Sequence, residues 1–296
     1  MDMTRNGNTG SGKPPRLASA SMPDRITDSM WHPARTLLAS LLLCAGCASI
    51  TEHAPPPVPG AGPDPTPFST ASLLDKLPEG WRPYRLARFK TFTEWHLVPK
   101  DGKVTMQAIA RASASGIQFF TQVDLRSFPF LTWQWNIPKA IENSTNSIHR
   151  IEDTPARVVV TFEGSREDLP PADQITYDLA LAIAGSELPY ATLMYVWEPS
   201  LPVGTVVEHH LSGRVKMIVT GGPAYRMGAW DEEVVNVLDD YRRLFKEEPP
   251  RVKAVGIMSD SDNTGATTTA YFGDIHFLRA APIHLGSDSR RQPTGN

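Results

Sequence analysis

Cysteine is almost absent from this 296-residue chain, and its two copies, Cys44 and Cys47, both lie near the N-terminus. Everything after residue 47 must therefore fold without a disulfide, a thiolate-bound zinc or a cysteine nucleophile. Long apolar runs are missing too. The one membrane-grade stretch, Leu37 to Ala45 behind Arg35, is too short to cross about 30 Å of hydrocarbon. No basic run or aromatic-laced basic stripe occurs, and a formal net charge of -3 gives no general pull on phosphate. Nucleic acid is thus not an expected partner. The Gly-x-Ser-x-Gly elbow is absent; Ala112 to Gly116 reads ASASG, without the leading glycine. So are His-Glu-x-x-His and Gly-x-x-x-x-Gly-Lys-Ser/Thr, which argues against the familiar hydrolases and nucleotide enzymes. What is present is ordinary for a globular protein: 41% hydrophobic and 21% charged residues.

The N-terminal features describe an address. Residues 1–29 form a polar leader, and Met22 or Met30 would give a more usual start. Residues 30–46 read as a secretory signal whose apolar centre ends in Leu43-Cys44-Ala45-Gly46-Cys47. Small residues just before a cysteine resemble a lipobox, with Cys47 as the lipidated residue; Cys44 stands where Leu is commoner. The alternative is a signal cleaved at the small residues Gly46 and Ala48 without lipid. Residues 47–67 carry seven prolines from Pro55 to Pro67 and are expected to act as an extended tether. With Ala48 rather than Asp after the cysteine, the expected location is the periplasmic side of the envelope, lipid-anchored to the outer membrane.

From Trp81 onward, β signals dominate. Two β-rich runs flank Asp101-Gly102, a two-residue hairpin signature. In "FPFLTWQWNI", Leu131, Trp133, Trp135 and Ile137 share one face, and Thr132, Gln134 and Asn136 the other. Helices are expected over "PPADQITYDLALAIAG" and over "WDEEVVNVLDDYRRLFKEEPP", where Val234, Leu238, Tyr241 and Phe245 recur at helical spacing and Asp231 could cap. Many short strands and two accessory helices predict one β-sandwich over residues 68–281, of jelly-roll or galactose-binding-like type, followed by a disordered tail over 282–296.

Candidate site residues divide between structural and functional readings. Trp133 and Trp135 could stack on a sugar, but sharing a face with Leu131 and Ile137 makes core the economical use of such rings. Glu163 and Glu198 each end an apolar strand and are the candidate carboxylate pair for a hydrolase, which needs two acids across a cleft. His209-His210 cannot chelate jointly in a strand, because neighbours point to opposite faces. A surface or turn position is the expectation. The most loaded stretch is "SDSDNTGATTTAYFGDIHF", Ser259 to Phe277. Asp260, Asp262 and Gly265 match positions 1, 3 and 6 of an EF-hand-like loop, but Thr264 and Tyr271 occupy positions 5 and 12. A tight connection between strands is the expected reading. A calcium site on Asp260, Asp262 and Asn263 is the alternative, and a catalytic acid there the third.

Taken in order, "FPFLTWQWNIP", "ARVVVTFEG", "LPYATLMYVWE", "RVKMIVTGG", "DDYRRLF" and "VGIMSDSDNTGATTTAYFGDIHF" resemble the DUF3047 family of bacterial proteins over roughly Trp81 to Leu278. The last phrase is the most specific. The family name records an unknown function, so the resemblance implies no mechanism; the closing "GDI" looks like the last strand of galactose-binding-like sandwiches. The expectation is a non-enzymatic envelope lipoprotein that binds a glycan or an envelope protein. The rival is a hydrolase of an envelope polysaccharide.

Overall fold

The computed structural model describes residues 63–282, apart from 73–75, 88, 185–187, 211 and 223–225. Leader, signal, Cys47, most of the proline-rich tether and the tail after 282 lie outside the described residues. The strands, in chain order, are β1 (Trp81–Arg85), β2 (Glu94–Lys100), β3 (Lys103–Arg111), β4 (Ala114–Val123), β5 (Phe130–Asn136), β6 (Thr154–Phe162), β7 (Ala191–Trp197), β8 (Val206–Glu208), β9 (Val215–Gly221), β10 (Trp230–Asn236), β11 (Val252–Asp260) and β12 (Thr267–Leu278). Helix α1 (Pro171–Ala184) joins β6 to β7, and α2 (Val237–Phe245) joins β10 to β11.

These strands form two sheets, ordered β1-β4-β11-β6-β7-β9-β8 and β10-β5-β12-β3-β2. All pairings are antiparallel except β7 with β9. The chain crosses repeatedly from one sheet to the other, as a jelly roll does, and the expected β-sandwich is what forms. Alternation fills the space between the layers: Leu131, Trp133 and Trp135 point inward from β5, and Trp133 meets Tyr195 of β7 at 5.5 Å between ring centroids. Helix α2 closes the core with Tyr241, fully buried and 4.5 Å from the Phe162 ring.

The hairpin at Asp101-Gly102 forms, with both residues at positive φ (51° and 83°), the backbone such a two-residue turn requires. The stretch read as the first turns of a helix, Trp230 to Asn236, is instead strand β10, paired along its whole length with β5. Its adjacent valines favour a strand, and pairing to a central strand outweighs a helical spacing produced partly by coincidence. The helix begins only at Val237, capped by Asn236, whose side chain accepts from Asp239 N at 3.1 Å. Helix α1 exists as expected, yet Ile175 and Leu179 of its apolar face are exposed.

The end of the tether is part of the folded body. Asp64 accepts from Phe277 N at 2.8 Å and contacts His276 Nδ1 at 3.0 Å, and Trp81 Nε1 donates to the Thr66 carbonyl at 2.8 Å.

Candidate functional site

The outer face of the five-stranded sheet holds a depression of about 160 Å³, lined by Ser69, Lys103, Gln134, Glu232, Asp274 and His276 among others. Its floor depends on a bulge. Register along β12 shifts between Phe272 and Ile275, so Gly273 and Asp274 share the space of a single pairing step opposite β5. A Cβ on Gly273 would sit 3.1 Å from Gln134 Cβ, so glycine lets Gln134 lie flat against this strand. The bulge turns Asp274 outward, where its carboxylate accepts from Ser69 N at 3.0 Å and Ser69 Oγ at 2.5 Å.

Two walls frame this floor. At one end the β2–β3 hairpin leans toward β10: Asp101 Oδ2 accepts from Trp230 Nε1 at 2.8 Å, and Lys103 Nζ lies 4.3 Å from the Trp230 ring centre while donating to Gln134. Lys100 sits over Tyr271 at 4.6 Å, and the Tyr271 hydroxyl accepts from Gln107 at 3.0 Å. At the other end the segment 63–70 supplies Ser69 and Asp64. The Asp64 carboxylate beside His276 stabilises its imidazolium and raises its pKa above the ordinary value.

A second polar cluster lies where the chain enters β6. His149, in a single 3-10 turn (His149–Ile151), Glu152 just after it, and His210, past the end of β8, place one ligand-type atom each within 4.8 Å of one another. The His149 and His210 rings stack at 3.6 Å between centroids, and His209 follows at 4.5 Å from His210. Desolvation lowers the His209 pKa. Beneath them Arg157, 3% exposed, is ion-paired to Asp260 at 2.9 Å and donates to Asn146 Oδ1 at 2.9 Å and to the Glu152 carbonyl at 3.2 Å. Burial pushes the Asp260 carboxyl up to about 7 against the lowering pull of Arg157.

The model of the family described as "Protein of unknown function (DUF3047)" matches residues 79–276. The chain belongs to the DUF3047 family. A search of the curated proteins gives no match. Among solved structures, the xyloglucanase domain of NopAA from Sinorhizobium fredii, in complex with cellobiose, matches at 7% identity and a TM-score of 0.30, covering 68% of this chain and 98% of that one. The cellulose-induced protein Cip1 matches at 10% identity and 0.29, covering 68% and 91%.

Within this DUF3047 domain the residues singled out by sequence fare differently. Trp133 and Trp135 are 1% and 0% exposed, pack edge to face at 5.4 Å, and offer no ring to a sugar; they are core, as their shared face with Leu131 and Ile137 led one to expect, and the platform alternative falls. Glu163 and Glu198 do not meet. The β6–β7 register pairs Phe162 with Ala191 and Arg157 with Val196, which sets the two acids at opposite ends of β7, roughly 25 Å apart at the strand rise per residue. Glu198 is fully buried and accepts from Asn146 N at 2.9 Å, Ser200 N at 3.1 Å and Ser200 Oγ at 2.6 Å, which makes it a loop organiser and not half of an acid pair.

The loop of the DUF3047 phrase is a tight connection. Gly265 has φ +69°, and Ala266 N donates to the Ser261 carbonyl at 3.1 Å. The acids proposed for calcium hold cations already present in the chain: Asp260 pairs with Arg157 and Asp262 with Lys90. Asn263 faces elsewhere, donating through Nδ2 to the His149 carbonyl at 2.6 Å. The carboxylate that organises the loop is Asp153, fully buried, which accepts from Asn263 N at 3.1 Å, Thr264 N at 2.7 Å and Thr264 Oγ1 at 2.6 Å. Cys47 lies outside the described residues. His209 and His210 sit beyond the strand end, in a turn as expected. The turn also removes the objection to joint use, because the backbone no longer alternates and both rings stack together. His149, Glu152, Glu232 and Asp274 were not found from sequence. The first two join His210 only in three dimensions, and Glu232 was placed on a helix.

Proposed function

We propose that this DUF3047 protein binds a glycan of the bacterial envelope on the outer face of its five-stranded sheet, without turning it over. It is held on the periplasmic side by lipid on Cys47 and the proline-rich tether. The observation that carries the reading is the lining of the depression. Gln134, Glu232, Asp274, Ser69, Lys103 and His276 present hydrogen-bond donors and acceptors over one small floor. A hydroxyl-rich ring can satisfy many such groups at once, whereas an apolar ligand would leave them desolvated and unpaired. Trp230 and Tyr271 at the hairpin end add partly exposed aromatic surface for the apolar side of a sugar.

The hydrolase alternative loses its pair at Glu163 and Glu198. In this depression it would have to use Glu232 and Asp274, which stand on β10 and β12 with β5 between them. The test is a glycan array probed with the chain that follows the signal, then titration of any hit. Gln134→Ala and Glu232→Gln should each weaken binding by roughly 10- to 100-fold, the value of one hydrogen bond to a charged or well-placed group. Binding to no envelope glycan, or binding untouched by both substitutions, would sink the proposal. Release of reducing ends that stops in Glu232→Gln would replace it with the hydrolase.

A further inference from the structure

We propose that His149, Glu152 and His210 form a binding site for a divalent transition metal of the zinc type, separate from the glycan depression and independent of that reading. Their ligand-type atoms already lie within 4.8 Å of one another, so small side-chain rotations bring them onto one ion. Two imidazoles and one carboxylate are the donor set of open zinc sites, in which three protein ligands leave a fourth position for water or substrate. Both histidines are exposed, so that fourth position faces solvent. Calcium, which takes an all-oxygen shell, does not suit two ring nitrogens.

A chance meeting of surface side chains would be loosely held. These are not. The His149 carbonyl accepts from Asn263 Nδ2 at 2.6 Å, and the Glu152 carbonyl from the buried Arg157 at 3.2 Å. Asp153, the next residue, is fixed by Asn263 and Thr264. Glu152 is aimed as well: Oε1 lies 3.8 Å from Arg157, while Oε2 turns to His149 Nδ1 at 3.6 Å. The His209 ring also packs against that of His210, 4.5 Å between centroids. Partners of this kind, which orient ligands without touching the ion, typically change affinity by 10- to 100-fold when removed. The loop from Asp260 to Gly265 thereby gains a role that its own carboxylates do not give it, as the clamp on the ligand-bearing turn.

The experiment uses tag-free protein stripped with a chelator and titrated with Zn2+ against a chromophoric competitor, then with Co2+ read by its visible absorption. One ion per chain is expected, with ligand-field bands of a nitrogen- and oxygen-coordinated site. His149→Ala and His210→Ala, both at exposed positions, should each weaken binding at least tenfold and alter the Co2+ spectrum. Asn263→Ala should weaken it by roughly tenfold with the spectrum retained. His96→Ala, on the exposed edge strand β2, should change nothing. Circular dichroism checks that each variant keeps its fold. Absence of stoichiometric Zn2+ binding, or binding that survives His149→Ala together with His210→Ala, would overturn the site.

Discussion

Replacing Arg157 by Met tests the polar centre beneath the histidine cluster most directly. The guanidinium is buried and makes ion pairs to Asp260 at 2.9 Å and to Glu152 at 3.8 Å, and two hydrogen bonds, to Asn146 and to the Glu152 carbonyl. Methionine keeps most of the volume and removes every polar contact. Stranding an ionised Asp260 in the interior costs about 3–5 kcal/mol. Asp260 can escape by taking a proton, and pH therefore decides the size of the defect. Burial already holds its pKa at about 7 with the arginine present, and loss of the cation moves it higher. A carboxyl whose folded pKa exceeds its unfolded value of about 3.9 binds its proton more tightly in the folded state. Its contribution is whole below that unfolded value and is lost as pH rises through the folded one. At pH 5 the variant should therefore lose only the hydrogen bonds, about 1–3 kcal/mol. At pH 8 it should lose about 3–5 kcal/mol. Urea unfolding at both pH values, with slopes compared, measures the difference. Adding Asp260→Asn should recover much of the loss at pH 8. Equal losses at the two pH values, or a loss under about 1 kcal/mol at pH 8, would refute the reasoning.

Trp135→Ala should destabilise the domain by about 3–5 kcal/mol, read by urea unfolding, because the ring is wholly enclosed between the sheets. Gly273→Val should leave melting cooperative but abolish glycan binding in titration calorimetry, since a Cβ there meets Gln134 at 3.1 Å and lifts it from the floor. The raised pKa of His276 contributes stability below its unfolded value of about 6.5 that fades as pH rises through the folded one. Asp64→Asn should remove that pH dependence from the melting curve. Cys47→Ala should abolish labelling by a fatty-acid analogue; retained label would discard lipidation at that cysteine.

Local sequence rules reached the strands and hairpins where local chemistry decides them. Asp101-Gly102 needs two positive-φ residues, and alternation along "LTWQWNI" sorts core from surface, so both were legible. Strand β10 was not. Its pairing partner β5 lies about 100 residues away, and nothing inside "WDEEVVN" announces that contact. That single error hid Glu232, which a helix would have turned to solvent and a strand places over the depression. Glu163 and Glu198 failed for a related reason. Both end apolar strands, but only the antiparallel register shows that these are opposite ends. His149, Glu152 and His210 are joined by the path of loops, on which periodicity is silent.

The long phrase from Ser259 to Phe277 draws these threads together. It was conspicuous in the sequence for its acids, and its acids turned out to serve the fold. Asp260 neutralises a buried arginine, Asp262 holds Lys90, and the turn itself is organised by Asp153 from elsewhere in the chain. Its bearing on function lies in its less conspicuous members. Asn263 reaches the His149 carbonyl, and Gly273 with Asp274 builds the bulge under the depression. One strand and the turn that leads into it thus support both candidate sites, the clamp in that turn and the bulge near the strand's middle. Asn263 lies in the turn before β12 and Gly273 inside the strand, so the spacing keeps the two devices on separate parts of the phrase. It also separates the two proposals experimentally: Asn263→Ala should affect metal and not glycan, and Gly273→Val glycan and not metal. A variant of either kind that lost both activities while remaining folded would mean that the sites are coupled through β12 and do not act independently.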